Sequence, residues 1–447
     1  MHGPFAFACC LSLGMVAVAL GGEPGPVAVE QGQQSDHWAF QSIQKPSVPV
    51  TRHNDRVRNP IDAFVFGRLE AEGLAPRPAA DRLTLHRRVS LDLIGLPPTP
   101  AEQRRFAADT QPGAWDRLVG RLLSRPEFGE RWARHWLDVA RYGESNGYER
   151  DGTKPNAWRF RDYVISAFND DLPFDRFLSE QLAGDEVEGS DARSQIATTF
   201  LRLGTWDDEP ADPFADRFDQ LDDVLGTTAS AFLGLTLRCA RCHDHKFESL
   251  SQRDYYGILA VFTPLKRPEK IKSATHREEF DREVGSPAEL REYRETIARS
   301  DELLGRLKPQ LAELLARVRD RVLKTAAAGG DPKLSREVAN AFLADAKTSA
   351  PKQKALVKQH AKMLERHVLE SFTEAERVDR TRLSSQIASV TEARPEAPPR
   401  AYIWYEDTPK PAKTQLFERG DPYSPRGEVK PAVPVILRNG RIRPPHH

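Results

Sequence analysis

The chain of 447 residues is long enough for two or three domains. Its 65 Lys and Arg residues balance its 65 Asp and Glu residues, which argues against a nucleic-acid-binding protein, since such proteins usually carry a basic excess. The four cysteines, Cys9, Cys10, Cys239 and Cys242, are too few for a scaffold built on disulfide bonds.

The N-terminus resembles a secretory signal peptide, which we place at residues 1–22. Phe5 to Leu20 is uncharged and is followed by a small residue and a polar, Pro-containing stretch. The run is too short to cross a bilayer, and a buried N-terminal helix is the alternative. We therefore predict an exported protein, periplasmic or extracellular, with no membrane span after cleavage. Only Cys239 and Cys242 would then remain.

Sequence patterns predict a mainly α fold, an irregular multi-helix domain followed by a charged helical appendage. Residues 23–57 form an extended leading segment, and residues 58–265 form the helical domain. Helix signals inside that domain include Thr99-Pro100-Ala101-Glu102 and Ser251-Gln252-Arg253-Asp254 as starts and Gly95 as a stop. Residues 276–394 are rich in Ala, Leu, Glu, Lys and Arg and predict a helical hairpin or short coiled coil, interrupted at Gly329-Gly330. Residues 395–447 form a Pro-rich tail without its own core.

The stretch Asp207–Asp223 is strongly acidic. Its spacing does not match an EF-hand calcium loop. We favour a solvated helix start, where acidic side chains suit the helix dipole, over a calcium site.

Residues 239–243 read Cys-Ala-Arg-Cys-His, the CxxCH signature of covalent haem c attachment. On a helical turn, positions i, i+3 and i+4 share one face, so two thiols and the proximal ligand His243 could meet one haem. A disulfide or a pair of free thiols is one alternative. A zinc site that uses Cys239, Cys242 and one or both of His243 and His245 is the other.

His135 is the candidate for a distal haem ligand. It shares a helical stripe with Trp132, Trp136 and Val139, so we expect it to face inward. A core histidine bonded to a backbone carbonyl is the alternative. Met363 lies far from the motif in sequence and is disfavoured as a ligand. His37, His53 and His86 are weaker candidates.

A dense polar cluster runs from Asp138 to Asp162. It could line the pocket of an enzyme that acts on extracellular polymers, or form ion pairs on a solvated face. The chain contains neither the HExxH nor the GxGxxG signature.

Several segments in order resemble one known family. They are His37–Phe40, Asn59–Asp62, Arg87–Pro100, Trp136–Tyr142, Trp158–Ile165, Gln181–Asp185, Phe232–Phe247 and Arg253–Tyr256. Together they are similar to the planctomycete-type cytochrome c domain of uncharacterised function, over residues 37–265. The resemblance implies an exported haem protein. Chains of this type commonly begin with a small cytochrome c module, which is missing before His37, and end in a second domain, of which residues 395–447 look like the start.

We therefore expect an exported c-type haem protein in electron transfer or redox sensing. Cys239 and Cys242 would hold the haem, and His243 would be the proximal ligand. Its redox partner is unknown, and the C-terminal partner domain could be a separate protein. The alternatives are the enzyme with a pocket near Asp138–Asp162 and a non-catalytic module stabilised by zinc or a disulfide.

Overall fold

The computed structural model describes residues 40–41, 43–266, 281–344, 350–404, 406 and 413–437. The predicted signal peptide, residues 1–22, lies outside these described residues, as do residues 23–39 of the leading segment. Helices dominate and the strands are short, which confirms the prediction of a mainly α fold. Within the described ranges, no helix combines the length and the apolar character that crossing a bilayer requires.

Five helices open the central domain. They are α1 (Pro60–Ala71), α2 (Arg82–Ile94), α3 (Pro100–Ala108), α4 (Ala114–Leu123) and α5 (Pro126–Val139). The capping box predicted at the start of α3 is confirmed, because Thr99 and Glu102 each accept a hydrogen bond from the other's backbone N–H. The predicted stop at Gly95 is also confirmed, with a left-handed φ of 71° at the end of α2. Phe106 and Leu118 lie in a small core that these helices share.

A second set of helices completes the central domain. They are α6 (Trp158–Asn169), α7 (Phe174–Ala183), α8 (Ala192–Ala197), α9 (Thr199–Arg202), α10 (Pro213–Thr228) and α11 (Gln252–Phe262). Phe160, Phe200, Leu225 and Tyr255 are almost completely buried in one core. This core holds α10 and α11, the two helices that flank the CxxCH segment.

The helical appendage has four helices in the described residues, where the sequence predicts a hairpin. They are α12 (Pro287–Ala327), α13 (Arg336–Leu343), α14 (Pro351–Glu370) and α15 (Glu374–Glu392). The extra helices arise because Ser335 and Thr373 cap new starts and Pro351 occupies a first helical position. Leu314 and Val318 belong to a buried cluster of the appendage itself.

Two antiparallel strand pairs lie at the base of the appendage and in the tail. β1 (Arg282–Glu283) pairs with β2 (Arg400–Ala401), so the chain enters and leaves the appendage at one point. β3 (Thr414–Phe417) pairs with β4 (Pro425–Val429), and this tail hairpin packs on α11. Phe417 and Val429 are buried in the core of the central domain. The described part of the tail therefore packs into that core.

Candidate functional site

The CxxCH segment forms a short turn between α10 and α11, and its first part is a 3-10 helix, Leu237–Arg241. Ala240 is fully buried and anchors the turn. Cys239, Cys242 and His243 are exposed. A 3-10 helix is tighter than the α-helical turn that the sequence suggested. The turn nevertheless leaves all three predicted haem-binding side chains open to solvent.

Both cysteines carry free thiols, so the disulfide alternative is not formed in this structure. In the described part of the chain, no three His, Cys, Asp or Glu side chains are grouped closely enough to hold a metal ion. The side chains of Cys239, Cys242, His243 and His245 are therefore not arranged as a zinc site. The acidic stretch Asp207–Asp223 is likewise not arranged as a calcium site.

His243 of the motif and His245, two residues after it, have opposite hydrogen-bonding patterns. His243 Nδ1 lies 2.7 Å from the carbonyl oxygen of Asp244. Because a carbonyl only accepts, Nδ1 carries a proton, and in the neutral ring Nε2 then has the free lone pair. His245 Nδ1 instead accepts from the backbone N–H of Glu248 at 2.9 Å and of Phe247 at 3.3 Å. His245 thus holds the following turn together, and His243 has the tautomer that a metal ligand through Nε2 needs.

Two arginines of the turn are tied to acidic residues of α10. Arg238 bonds Asp223 at 2.7 Å, and Arg241 bonds Asp219 at 2.7 Å. Asp223 is shared, because Arg141, just after α5, pairs with its other oxygen at 2.9 Å. The network fixes the turn against the helix before it. Sequence reasoning missed these pairs, although the acids recur three and four positions apart on one helix.

The other acidic residues of this stretch have structural partners as well. Asp222 accepts a 2.6 Å hydrogen bond from Tyr255 of α11, and burial together with this carboxylate raises the pKa of the Tyr255 hydroxyl. Asp212 caps α10 by accepting from the backbone N–H groups of Phe214 and Ala215. The acidic stretch therefore serves to start α10 and to hold the neighbouring segments.

The tail hairpin and α11 hold the other side of the turn. The Gln252 side-chain amide donates to the carbonyl oxygens of Arg241 and Phe417, both at 2.9 Å. Gly420 has a left-handed φ of 76°, and a Cβ at this position would lie 2.7 Å from the Cys242 Sγ. Only a glycine lets the tail approach Cys242 this closely.

The prediction that His135 faces inward is wrong. His135 is exposed on α5, with its ring centroid 5.7 Å from that of Trp132. The buried face of α5 contains Gly129 and Ala133, and a Cβ on Gly129 would lie 2.4 Å from a backbone oxygen of α6. Close packing of α5 on α6 requires small residues on that face. Trp132 and Val139 are exposed together with His135, whereas Trp136 packs against the core of the central domain. In the described residues no hydrogen bond or ring contact joins His135 to the CxxCH segment.

The weaker ligand candidates are scattered. His53 is half-buried in the leading segment, and His86 is buried in α2. Met363 lies on α14 of the appendage and is 38 % exposed. His37 lies outside the described residues.

The residues of the polar cluster between Asp138 and Asp162 bond to one another and to the backbone. Tyr142 donates to Glu144 at 2.6 Å, and Arg161 pairs with the same carboxylate at 3.1 Å. Lys154 is buried and donates to the carbonyl oxygen of Gly204 at 2.8 Å. Burial and the Glu144 carboxylate raise the pKa of the Tyr142 hydroxyl. The arrangement is typical of a structural network.

Comparison with known proteins bears on the domain that carries this turn. Neither the curated proteins nor the solved structures include a match to the chain. Residues 60–267, which run from the start of α1 to just beyond α11, match the model of the planctomycete-type domain family PSCyt2, described as proteins of unknown function (DUF1549).

Proposed function

We propose that the CxxCH turn is a haem c attachment site in an exported, periplasmic or extracellular protein that transfers electrons or senses redox state. The observation that carries the proposal is the donor set on the turn. Two free, exposed thiols are separated by two residues, and the neutral ring of His243 beside them has its Nε2 lone pair free. These are the groups that covalent attachment and axial ligation require.

The residues around the turn have defined tasks in this proposal. Cys239 and Cys242 would form the thioether links, and His243 Nε2 would ligate the iron. The Asp244 carbonyl holds the His243 ring and raises the basicity of Nε2 by accepting from Nδ1–H. Bound haem would supply a one-electron Fe(III)/Fe(II) couple.

In this proposal, the arginines of the turn and the tail hairpin position the two cysteines. Arg238 and Arg241 fix both sides of Cys239 against α10, so the spacing between the two thiols does not depend on a mobile loop. Gly420 lies against Cys242 and confines that thiol from the other side. The turn is thereby ordered before any ligand binds, which lowers the entropic cost of binding.

The test is expression in a host that exports the protein and attaches haem c. We expect a pyridine haemochrome spectrum and haem that remains on the chain after denaturation. Cys239→Ala or Cys242→Ala should abolish one thioether, and the double variant should lose covalent haem. A wild-type protein that matures without covalent haem contradicts the proposal.

The histidines provide matched controls. His243→Ala should change the absorption spectrum of the bound haem, because it removes the axial nitrogen. His245→Asn, two residues away, should leave the spectrum unchanged and only weaken the turn. His135→Gln should also leave it unchanged, since His135 faces solvent on α5. A spectral change in His245→Asn equal to that in His243→Ala would exclude His243 as the specific ligand.

A further inference from the structure

A cavity of about 410 Å³ lies among α2, α3 and α4, away from the CxxCH turn. Its size falls in the range of small-molecule sites, about 300–1,000 Å³. The lining combines two apolar side chains with five polar or charged ones. They are Leu118, Leu122, His86, Glu102, Arg105, Arg121 and Arg125.

The charges around the cavity are not balanced. Arg125 is neutralised by Glu102 at 3.0 Å and by Glu127 at 2.7 Å. The side chains of Arg105 and Arg121 form no hydrogen bond or ion pair within the described residues. The nearby Asp109 carboxylate is bound by Arg117 at 2.7 Å. Two guanidinium groups therefore remain available at the rim to donate hydrogen bonds to an anion.

The buried wall carries an unsatisfied polar group. His86 is 1 % exposed, and its Nδ1 is buried without a hydrogen-bond partner. Buried ring nitrogens normally have a partner, so this one requires an explanation. Burial lowers the pKa of His86, with Glu102 opposing and Arg121 adding to that effect. A neutral imidazole can donate one hydrogen bond, directly or through a bridging water.

We propose that this cavity binds a tetrahedral oxyanion, the phosphate or sulfate group of a small molecule. Arg105 and Arg121 would supply the forked N–H donors, for which such oxyanions are good acceptors. His86 would contribute a neutral hydrogen bond from the wall. Leu118 and Leu122 would contact the apolar part of the molecule. The proposal is independent of haem.

Isothermal titration calorimetry of the full chain tests the proposal. Inorganic phosphate, inorganic sulfate and acetate are titrated separately, with chloride holding the ionic strength constant. We expect phosphate or sulfate to bind, and the stronger of the two identifies the oxyanion. Acetate should bind at least tenfold more weakly, because it carries one charge and two oxygens. Absence of binding by both tetrahedral anions, or equal binding of acetate, would overturn the proposal.

Two variants and one control localise the site. Arg105 and Arg121 are exposed. Arg105→Gln and Arg121→Gln should each weaken binding of the tetrahedral anion at least tenfold. Arg104→Gln removes the same charge from an exposed neighbour on α3 that does not line the cavity, and it should leave the affinity unchanged. Far-ultraviolet circular dichroism confirms that each variant is folded. An equal loss in Arg104→Gln would show that net charge, and not this cavity, attracts the anion.

Discussion

The central domain and the helical appendage use the same charged residue types differently. In the central domain, Arg141 and Asp223 pair at 2.9 Å with side chains that are 20 % and 32 % exposed. In the appendage, Lys324 and Asp320 pair at 2.7 Å with side chains that are 70 % and 51 % exposed. An exposed pair contributes about 0–1 kcal/mol, whereas breaking a buried one leaves a desolvated charge. The Arg141–Asp223 pair thus holds a particular geometry, whereas the Lys324–Asp320 pair mainly solvates its helix.

The distribution of tryptophan allows the two regions to be followed separately. No tryptophan occurs in the appendage helices. The seven tryptophans are Trp38, Trp115, Trp132, Trp136, Trp158, Trp206 and Trp404. Tryptophan fluorescence therefore carries no direct signal from the appendage helices, whereas far-ultraviolet circular dichroism reports on the helices of both regions.

The largest expected effects come from two substitutions, each of which would leave a cavity in one of the two cores. Leu225 in the central core is fully buried, and Leu314 in the appendage core is nearly so. We expect Leu225→Ala to lower the fluorescence-detected free energy of unfolding by about 3 kcal/mol, because it leaves a cavity. Leu314→Ala should shift only the transition seen by circular dichroism. If either variant shifts both probes equally in urea titrations, the two regions unfold as one unit.

The next largest effect is expected from breaking an ion pair in the central domain, compared with breaking one in the appendage. Burial lowers the pKa of Arg141 and the Asp223 carboxylate opposes this, so Asp223 offsets the cost of desolvating the guanidinium. Asp223→Asn leaves Arg141 and Arg238 without that charge, and we expect a loss of about 2 kcal/mol by urea denaturation. Asp320→Asn in the appendage is the control, with an expected loss of about 0.5 kcal/mol or less. Equal losses of stability in Asp223→Asn and Asp320→Asn would contradict the proposed difference between the two ion pairs.

Local signals in the sequence predicted the helix boundaries well. The caps at Thr99 and Ser251 are present, because a cap depends only on residues three positions apart. The face of α5 was not predictable in the same way. Trp132 and Val139 have the spacing of a core stripe, yet both are exposed, since the backbone of α6 approaches Gly129. That approach is a tertiary contact that periodicity does not contain.

The candidate site likewise combines a local signal that the sequence contains with tertiary contacts that it does not reveal. The CxxCH spacing could be recognised from five adjacent residues. The residues that hold the turn in place could not be recognised in this way, because they are distant in sequence. Asp219 and Asp223 lie well before the arginines that they pair with, and Phe417 lies much further along the chain. Donor chemistry is thus local in the sequence, whereas the positioning of the donors is set by long-range packing.

The approach of the tail to Cys242 can be tested with two glycines. Gly420→Ala adds a Cβ at a left-handed φ and against the thiol, so we expect a loss of about 1 kcal/mol. Gly73→Ala just after the end of α1 has nearly the same left-handed φ, 70°, but meets no neighbouring atom, which makes it the control for backbone strain. Only Gly420→Ala should accelerate alkylation of Cys242 by iodoacetamide. Equal rates in the two variants would contradict a specific contact between the tail and the thiol.

The smallest expected effect is an acid-sensitive pair in the appendage. Arg321 donates two 2.7 Å hydrogen bonds to Glu376, and the backbone N–H of Thr373 donates a third at 2.9 Å. These bonds lower the pKa of Glu376 from 4.5 to about 2. A carboxylate with a depressed folded pKa stabilises the fold above its unfolded pKa, and this stabilisation is lost as the pH falls through the folded value. The window is therefore pH 4.5 to 2.

Glu376→Gln should accordingly flatten the decline of dichroism-detected stability between pH 4.5 and 2, with fluorescence-detected stability unchanged. Because Arg321 is 45 % exposed, solvent screening limits the effect at pH 7 to less than about 1 kcal/mol. Glu374→Gln on the same helical turn is the matched control, since its partner Arg377 lies 3.6 Å away and Glu374 is 84 % exposed. If the two variants show the same pH slope as the wild type, then even a carboxylate of the appendage with three hydrogen bonds adds no measurable stability, and the contrast with Asp223 becomes sharper.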